Sequence, residues 1–245
     1  MPGRRWGCDV MQAIILAGGK GERLRPFTED RPKCMVEILG VPLLGYQLQW
    51  LSAQGVADVM ISCGYRHDVI EDYFGDGEKW GVRLTYSIED QPLGRGGALR
   101  LAFGNLTPGE DVCLAANGDV ITNVRLKPLL QAHRQNGCLA TVVLSPFISP
   151  YGIVEVDADD RVVAFHEKPE LPYWMNAGIY VLSRELETML PEQGDHEDST
   201  FPQLALERRL GAYKSRAYWR SVDTVKDMSE VAKELEKRLM TSFLA

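Results

Sequence analysis

From Gln12 to Leu144 the chain alternates short apolar, β-branched runs with amphipathic stretches, an alternation with few folded solutions. Gln12 to Ala17, Val59 to Cys63, Val82 to Ile88, Val112 to Ala116 and Leu139 to Leu144 read as strands. Between them, Leu43 to Gln54 has helical periodicity (Leu44, Leu48, Leu51) and stops at Gly55; His67 to Phe74 closes at Gly75. Gly97 to Phe103 and Leu126 to Gln135 are further helices. This order predicts an α/β fold with an open, mainly parallel sheet flanked by helices.

The pattern then changes. Gly152 to Val156 and Arg161 to His166, joined by Asp157-Ala158-Asp159-Asp160, predict an antiparallel hairpin. Ala177 to Leu182 is a strand, Phe201 to Arg209 a helix capped by Ser199 or Thr200, and Tyr213 to Trp219 a strand. Asp223 opens a last helix whose apolar positions are Val225, Met228, Val231, Leu235 and Leu239. That stripe reads as core, with a homodimer contact as the lesser alternative. With no repeat or linker, one domain is expected over residues 11–245 and a flexible extension over 1–10.

Composition narrows the function. A net charge of −7 argues against binding a nucleic-acid backbone and leaves small phosphorylated substrates open. No apolar run reaches the ~18–20 residues that span a bilayer, and the first ten residues lack the apolar core of a secretory signal. The five cysteines (Cys8, Cys34, Cys63, Cys113, Cys138) are scattered and form no CxxC pair, as expected of free thiols in a cytoplasmic protein without a membrane partner.

The first strand runs directly into Leu16-Ala17-Gly18-Gly19-Lys20-Gly21-Glu22-Arg23-Leu24-Arg25. Glycines at 18, 19 and 21 let backbone N–H groups approach an anion, and Lys20, Arg23 and Arg25 add positive charge. The turn reads as a phosphate cradle. A P-loop would need Gly at position 14 and Ser or Thr at 21, where this chain has Ile and Gly. A dinucleotide fingerprint starting at Gly19 would put its third glycine on Leu24, which weighs against a dehydrogenase.

The longer run Ala17-Gly18-Gly19-x-Gly21-x-Arg23-Leu24-x-Pro26-x-Thr28, followed by Pro32-Lys33 and Val41-Pro42-Leu43, resembles the signature of the sugar-1-phosphate nucleotidyltransferases. Further segments match that family in order: Gln91-Pro92-Leu93-Gly94, Gly96-Gly97-Ala98, Asn117-Gly118-Asp119, Tyr151-Gly152, Glu167-Lys168-Pro169, Asn176-Ala177-Gly178 and Val222-Asp223. The resemblance spans residues 11 to 240. It implies a Rossmann-like nucleotidyltransferase fold, with the site at the carboxyl ends of the strands and the hairpin region covering the sugar.

It also implies roles. Arg23 and Lys33 would hold a nucleoside triphosphate and its leaving pyrophosphate. Asp119 and Asp223 would bind one Mg²⁺, and Lys168 would meet the sugar phosphate. These five form the expected catalytic set. Leu16, Ala17, Gly18, Gly19, Gly21, Glu89, Gly94 and Asn117 would bind the nucleotide. Tyr151, Gly152, Glu155, Glu167 and Asn176, with Lys168, would bind the sugar phosphate. A carboxylate at Glu89 can accept paired N–H bonds from guanine N1 and N2, or one bond from uracil or thymine N3–H. The pattern around Tyr86 to Leu99 is most similar to guanylyltransferases acting on manno-configured sugar 1-phosphates, including heptose ones. UTP, dTTP or CTP enzymes and a catalytically silent regulatory subunit that binds nucleotide sugars remain alternatives. Retention of the whole metal and leaving-group set weighs against the silent reading.

This chain departs from the family pattern at Glu22, at Cys34 after the lysine, and at Arg95, which either adds a ligand contact or faces solvent. Asp195-His196-Glu197-Asp198 is expected to be a solvated acidic loop rather than a metal cluster. His133, His166 and Cys34 are given no catalytic role, since an in-line displacement requires no protein nucleophile.

Overall fold

A computed structural model of the chain describes residues 12–107 and 111–243, with side chains up to residue 238. The proposed extension at 1–10, Cys8 and the side chain of Leu239 lie outside the described residues. In chain order the elements are β1 (Gln12–Leu16), β2 (Glu37–Ile38), β3 (Val41–Pro42), α1 (Leu43–Ser52), β4 (Asp58–Cys63), α2 (His67–Phe74), β5 (Arg83–Ile88) and α3 (Gly94–Gly104). Then come β6 (Val112–Asn117), β7 (Val120–Thr122), α4 (Leu126–Asn136), β8 (Ala140–Ile148), β9 (Ile153–Val156) and β10 (Val162–His166). The series ends with β11 (Glu170–Ser183), α5 (Thr200–Leu206), β12 (Leu210–Lys214), β13 (Trp219–Ser221) and α6 (Val225–Phe243).

A seven-stranded sheet in the order β12-β8-β11-β6-β1-β4-β5 forms the centre. β1 is parallel to β4 and β6, β4 to β5, and β12 to β8. β11 alone runs against the rest, antiparallel to both β6 and β8. The strands read as continuous apolar runs because both faces are covered. Ala13 and Ile15 of β1 face a core shared with α1, α2 and α4, whereas Ile14 faces one shared with α3 and α5. A third core joins Leu24, Val36, Ile38, Leu43 and Ile121 to Val231 of α6, flanked by Met228 and Leu235. The apolar stripe of the last helix is therefore core at those positions, whereas Val225, in its first turn, is 45% exposed and lies outside that core.

Four expectations need correction. α3 begins at Gly94, three residues early, because its glycines let the helix start press against residues 192–194. β11 begins at Glu170 rather than Ala177, since its first half pairs with the far end of β8. The strand expected over Tyr213 to Trp219 is two strands: β12 borders β8, and the chain then crosses to pair β13 with β7. α5 ends at Leu206 and takes no side-chain cap, because Ser199 Oγ donates to the Asp195 carbonyl and Thr200 Oγ1 to that of Met189. The hairpin of β9 and β10 forms as expected, antiparallel and largely solvent-exposed.

Candidate active site

The chain leaves β1 for β4 and β5 on one side and returns to β6 on the other, so β1 and β6 flank a topological switch point. Ligands of open α/β sheets bind at the carboxyl ends of such strands. Leu16 and Asn117, the last residues of β1 and β6, are register partners. A cavity of about 660 Å³ opens there, a size suited to a small-molecule ligand. Its wall includes Leu16, Ala17, Gly18, Gly19, Glu89, Gly94, Asn117, Lys33 and Asp119. Gly21 stands behind that wall: at φ +67° it packs on Lys33, and a Cβ would meet Lys33 Cβ at 2.9 Å. Its part is to let the lysine stem lie flat against the turn.

Lys33 follows Pro32 in a short 3₁₀ turn, and its backbone N–H donates to the Gly19 carbonyl at 3.0 Å, tying it to the glycine loop. Its side chain is only 13% exposed, and its ammonium lies 2.6 Å from Asp119 Oδ2 and 2.8 Å from Asp223 Oδ1. Arg23 Nη2 reaches the same Asp223 oxygen at 2.7 Å from the rim. Two carboxylates far apart in sequence meet because β7 begins right after Asp119 and its partner β13 ends just before Asp223. Ser221 Oγ donates to Asp223 Oδ2 at 2.6 Å.

Asp223 does not cap α6. Thr224 and Asp227 do so reciprocally: Thr224 N donates to Asp227 Oδ2 and Asp227 N to Thr224 Oγ1. Asp223 therefore has Oδ1 on Lys33 and Arg23 and Oδ2 on Ser221, with neither oxygen used in capping. Burial pushes its carboxyl upward, but hydrogen bonds from Lys33 and Ser221 and the nearby positive charges outweigh this and hold it below the usual carboxylate range. The two carboxylates already bridge one compact cation, so the donor set fits a hard divalent ion. Among the described residues no third His, Cys, Asp or Glu completes a metal cluster, so a divalent ion held here would draw its other ligands from outside the protein.

Glu89 follows β5 directly. Its Oε2 accepts the Leu93 N–H at 2.9 Å, and burial raises its carboxyl above the ordinary range against that bond. Oε1 sits beside Gly18, where an added Cβ would come within 3.1 Å of it. Burial drives the Cys34 thiol strongly up, so beside Lys33 it is an inert packing group.

The sequence profile of the family described as nucleotidyl transferase matches residues 12–238. The chain belongs to that nucleotidyl transferase family. It is 35% identical over 232 residues to the D-glycero-alpha-D-manno-heptose 1-phosphate guanylyltransferase of Aneurinibacillus thermoaerophilus, covering 92% of this chain and 99% of that one. It is also 35% identical over 240 residues to the mannose-1-phosphate guanylyltransferase of Mycobacterium tuberculosis, but spans only 66% of that protein's length. The crystal structure of HddC from Yersinia pseudotuberculosis complexed with GMP-PN superposes with a TM-score of 0.73 at 25% identity, over 92% of this chain and 100% of that one. A putative glucose-1-phosphate thymidylyltransferase from Bacillus anthracis, 24% identical with a TM-score of 0.73 over 92% of this chain and 95% of that one, shares the fold.

In this nucleotidyl transferase the sugar-side candidates stand apart from the cavity wall. Tyr151 is 76% exposed, and Gly152 packs against Phe165 and Glu167. Glu155 pairs across the hairpin with His166 at 3.5 Å. Lys168 is an exposed residue at φ +47°. Asn176 bonds Tyr180 and the Gly178 N–H. One expectation about neighbouring residues fails. Arg95 lines the cavity and keeps 46% of its side chain exposed, while its guanidinium also pairs with Asp195 and Glu197. The loop that holds those acids is accordingly no solvated run: His196 is fully buried between Tyr180 and Phe201. Ser62, Gly64 and Tyr65 also line the cavity. The strand rule that located Asp119 applies equally to the end of β4 and would have found them.

Proposed function

We propose that the chain is a guanylyltransferase joining GTP to a manno-configured hexose or heptose 1-phosphate, giving a GDP-sugar and pyrophosphate. The observation that carries this reading is the closed cluster of Arg23, Lys33, Asp119 and Asp223 at the glycine loop. Two cations and two carboxylates gathered there, with Lys33 and Asp119 on the cavity wall, support a triphosphate site. The choice of GTP and of a manno sugar rests on the heptose-1-phosphate guanylyltransferase matched over its full length and on the carboxylate of Glu89.

A sugar-phosphate oxygen attacks the α-phosphorus in line, and the bond to the bridging oxygen breaks to release pyrophosphate. Such a transfer depends on positioning and charge neutralisation. The N–H groups of residues 18–21 cradle the phosphates. Arg23 and Lys33 leave the carboxylates to bind the triphosphate and hold the pyrophosphate as its charge grows. Asp119 and Asp223, released from them, would hold Mg²⁺, which would supply neutralisation of phosphate oxygens. Glu89 accepts guanine N1–H and N2–H with Oε1 and the free lone pair of Oε2. Lys168 meets the sugar phosphate, while Glu155, Glu167 and Asn176 bond sugar hydroxyls beside Tyr151 and Gly152.

Residues 11–245 act as one domain in this reading. The free thiols of Cys34, Cys63, Cys113 and Cys138 fit a reducing cytoplasm, and among the described residues no helix is long and apolar enough to cross a membrane. Pyrophosphate release with Mg²⁺ across GTP, UTP, dTTP, CTP and ATP against several sugar 1-phosphates tests the reading. Release requiring GTP and a manno-configured sugar together is expected. Silence throughout, with tight GDP-sugar binding by calorimetry, would overturn it in favour of a regulatory binder.

A further inference from the structure

Behind Asn176 runs a line of polar groups, Tyr180, Glu197, Arg95 and Asp195, to which the proposed reaction gives no part. Asn176 Nδ2 donates to Tyr180 Oη at 2.8 Å, Tyr180 Oη donates to Glu197 Oε1 at 3.3 Å, and Arg95 Nη1 lies 2.9 Å from the same oxygen. Arg95 also bonds Asp195 twice, through its backbone N–H and through Nη2, both at 2.8 Å. The line thus starts at Asn176 on β11 and ends at Arg95 and Asp195, which line the nucleotide cavity.

We propose that Tyr180 is a positioning residue: its hydroxyl, held by Glu197 and Arg95, fixes the side-chain amide of Asn176 so that it meets the sugar in one orientation. This rests on the sugar role given to Asn176 above.

Donor and acceptor logic carries the argument. The Glu197 carboxylate, held by Arg95, can only accept, so the Tyr180 proton points at it. The tyrosine oxygen must then accept from Asn176, which turns Nδ2 inward, and Oδ1 takes the Gly178 N–H at 2.8 Å. An amide flipped by 180° would set Oδ1 against a hydroxyl oxygen and Nδ2 against an N–H, so it is excluded. What Asn176 keeps for a ligand is one N–H and one lone pair in fixed directions. The Tyr180 ring cannot swing, being fully buried and edge-packed by His196 and Phe201 at 5.2 Å each. Burial and the Glu197 charge both push the Tyr180 hydroxyl upward, keeping it a donor.

The far end is equally rigid. Gly194 O accepts the N–H of Gly96 at 2.9 Å, and Gly194 N donates to Leu93 O at 2.7 Å. A Cβ on Gly96 would fall 2.8 Å from Gly194 O and one on Gly97 2.5 Å from Glu192 O, so only glycine permits this approach. Arg95 therefore holds the acidic loop to the start of α3 and Glu197 under Tyr180.

The test is Tyr180→Phe, which keeps the ring and removes the hydroxyl, with Glu197→Gln as a second variant should the first fail to fold. KM for the sugar 1-phosphate is expected to rise about fivefold to tenfold, with kcat and KM for GTP within about twofold. A merely structural role would move all three constants or none, and either pattern overturns the proposal. An independent readout needs no turnover. The chain has five asparagines, so ¹⁵N-asparagine labelling resolves few side-chain amides. The Asn176 pair should exchange slowly in the parent protein and fast in Tyr180→Phe. Unchanged exchange overturns the proposal even if the protein proves not to be a guanylyltransferase. Lost protection in an enzyme of another specificity would uphold the positioning and overturn only the choice of substrate.

Discussion

Lys33 bridges Asp119 and Asp223 from a largely enclosed position, where the proposed reading puts a metal. In that reading it competes with the metal when nucleotide is absent, so Lys33→Met should tighten Mn²⁺ binding about tenfold by electron paramagnetic resonance while turnover falls. Unchanged Mn²⁺ affinity would refute that competition. Asp119→Asn and Asp223→Asn should each lower turnover about a hundredfold to a thousandfold in the pyrophosphate assay, with circular dichroism unchanged. Glu89 gives a pH signature. Burial raises its carboxyl, so on acidification it loses charge earlier than an exposed glutamate. KM for GTP should climb as pH drops through that raised value, and Glu89→Gln should flatten the dependence. A pH series of KM for GTP in both proteins checks this.

At the scale of elements, the meeting of Asp119 and Asp223 depends on β7 pairing with β13 and on the cap that starts α6. Asp227 Oδ2 receives the N–H of Asp223, the N–H of Thr224 and the Thr224 hydroxyl. Asp227→Ala should destabilise the fold by about 1 kcal/mol in urea titrations, the usual cost of losing a helix cap. The sequence made the strong elements legible, since β1, β4, α1 and α2 are long apolar or periodic runs with glycine stops. It hid those whose partners are remote. β7 and β13 are three residues each, too short to show a period, and only their pairing across the fold makes them strands. The acidic loop misled for a similar reason. Asp195 and Glu197 look solvated until Arg95, a hundred positions earlier, is placed against them.

For the whole molecule, the site is more legible on the nucleotide side than on the sugar side. The glycine loop, Lys33, Glu89, Asn117 and Asp119 fall together because strand ends converge at the switch point, a rule readable from element order. Tyr151, Glu155, Glu167 and Lys168 sit on or beside an exposed hairpin, whose placement no periodicity fixes. Stability should depend on pH through buried histidine. Burial and the Arg95 charge press His196 down to about 4 from 6.5, so the folded state prefers it neutral. Its contribution is complete above pH ~6.5 and drains away as pH falls toward 4. Urea titrations over that window should show the loss, and His196→Asn should lessen it. The β7–β13 pairing also bears on synthesis. Lys33 and Asp223 lie 190 residues apart in sequence, so the ribosome releases the glycine loop long before the second carboxylate. A nascent chain would carry the glycine loop and Lys33 without the second carboxylate that completes their charge cluster. Only once Asp223 emerges and β13 zips onto β7 could turnover begin, so a ribosome-stalled chain ending before that point should be silent.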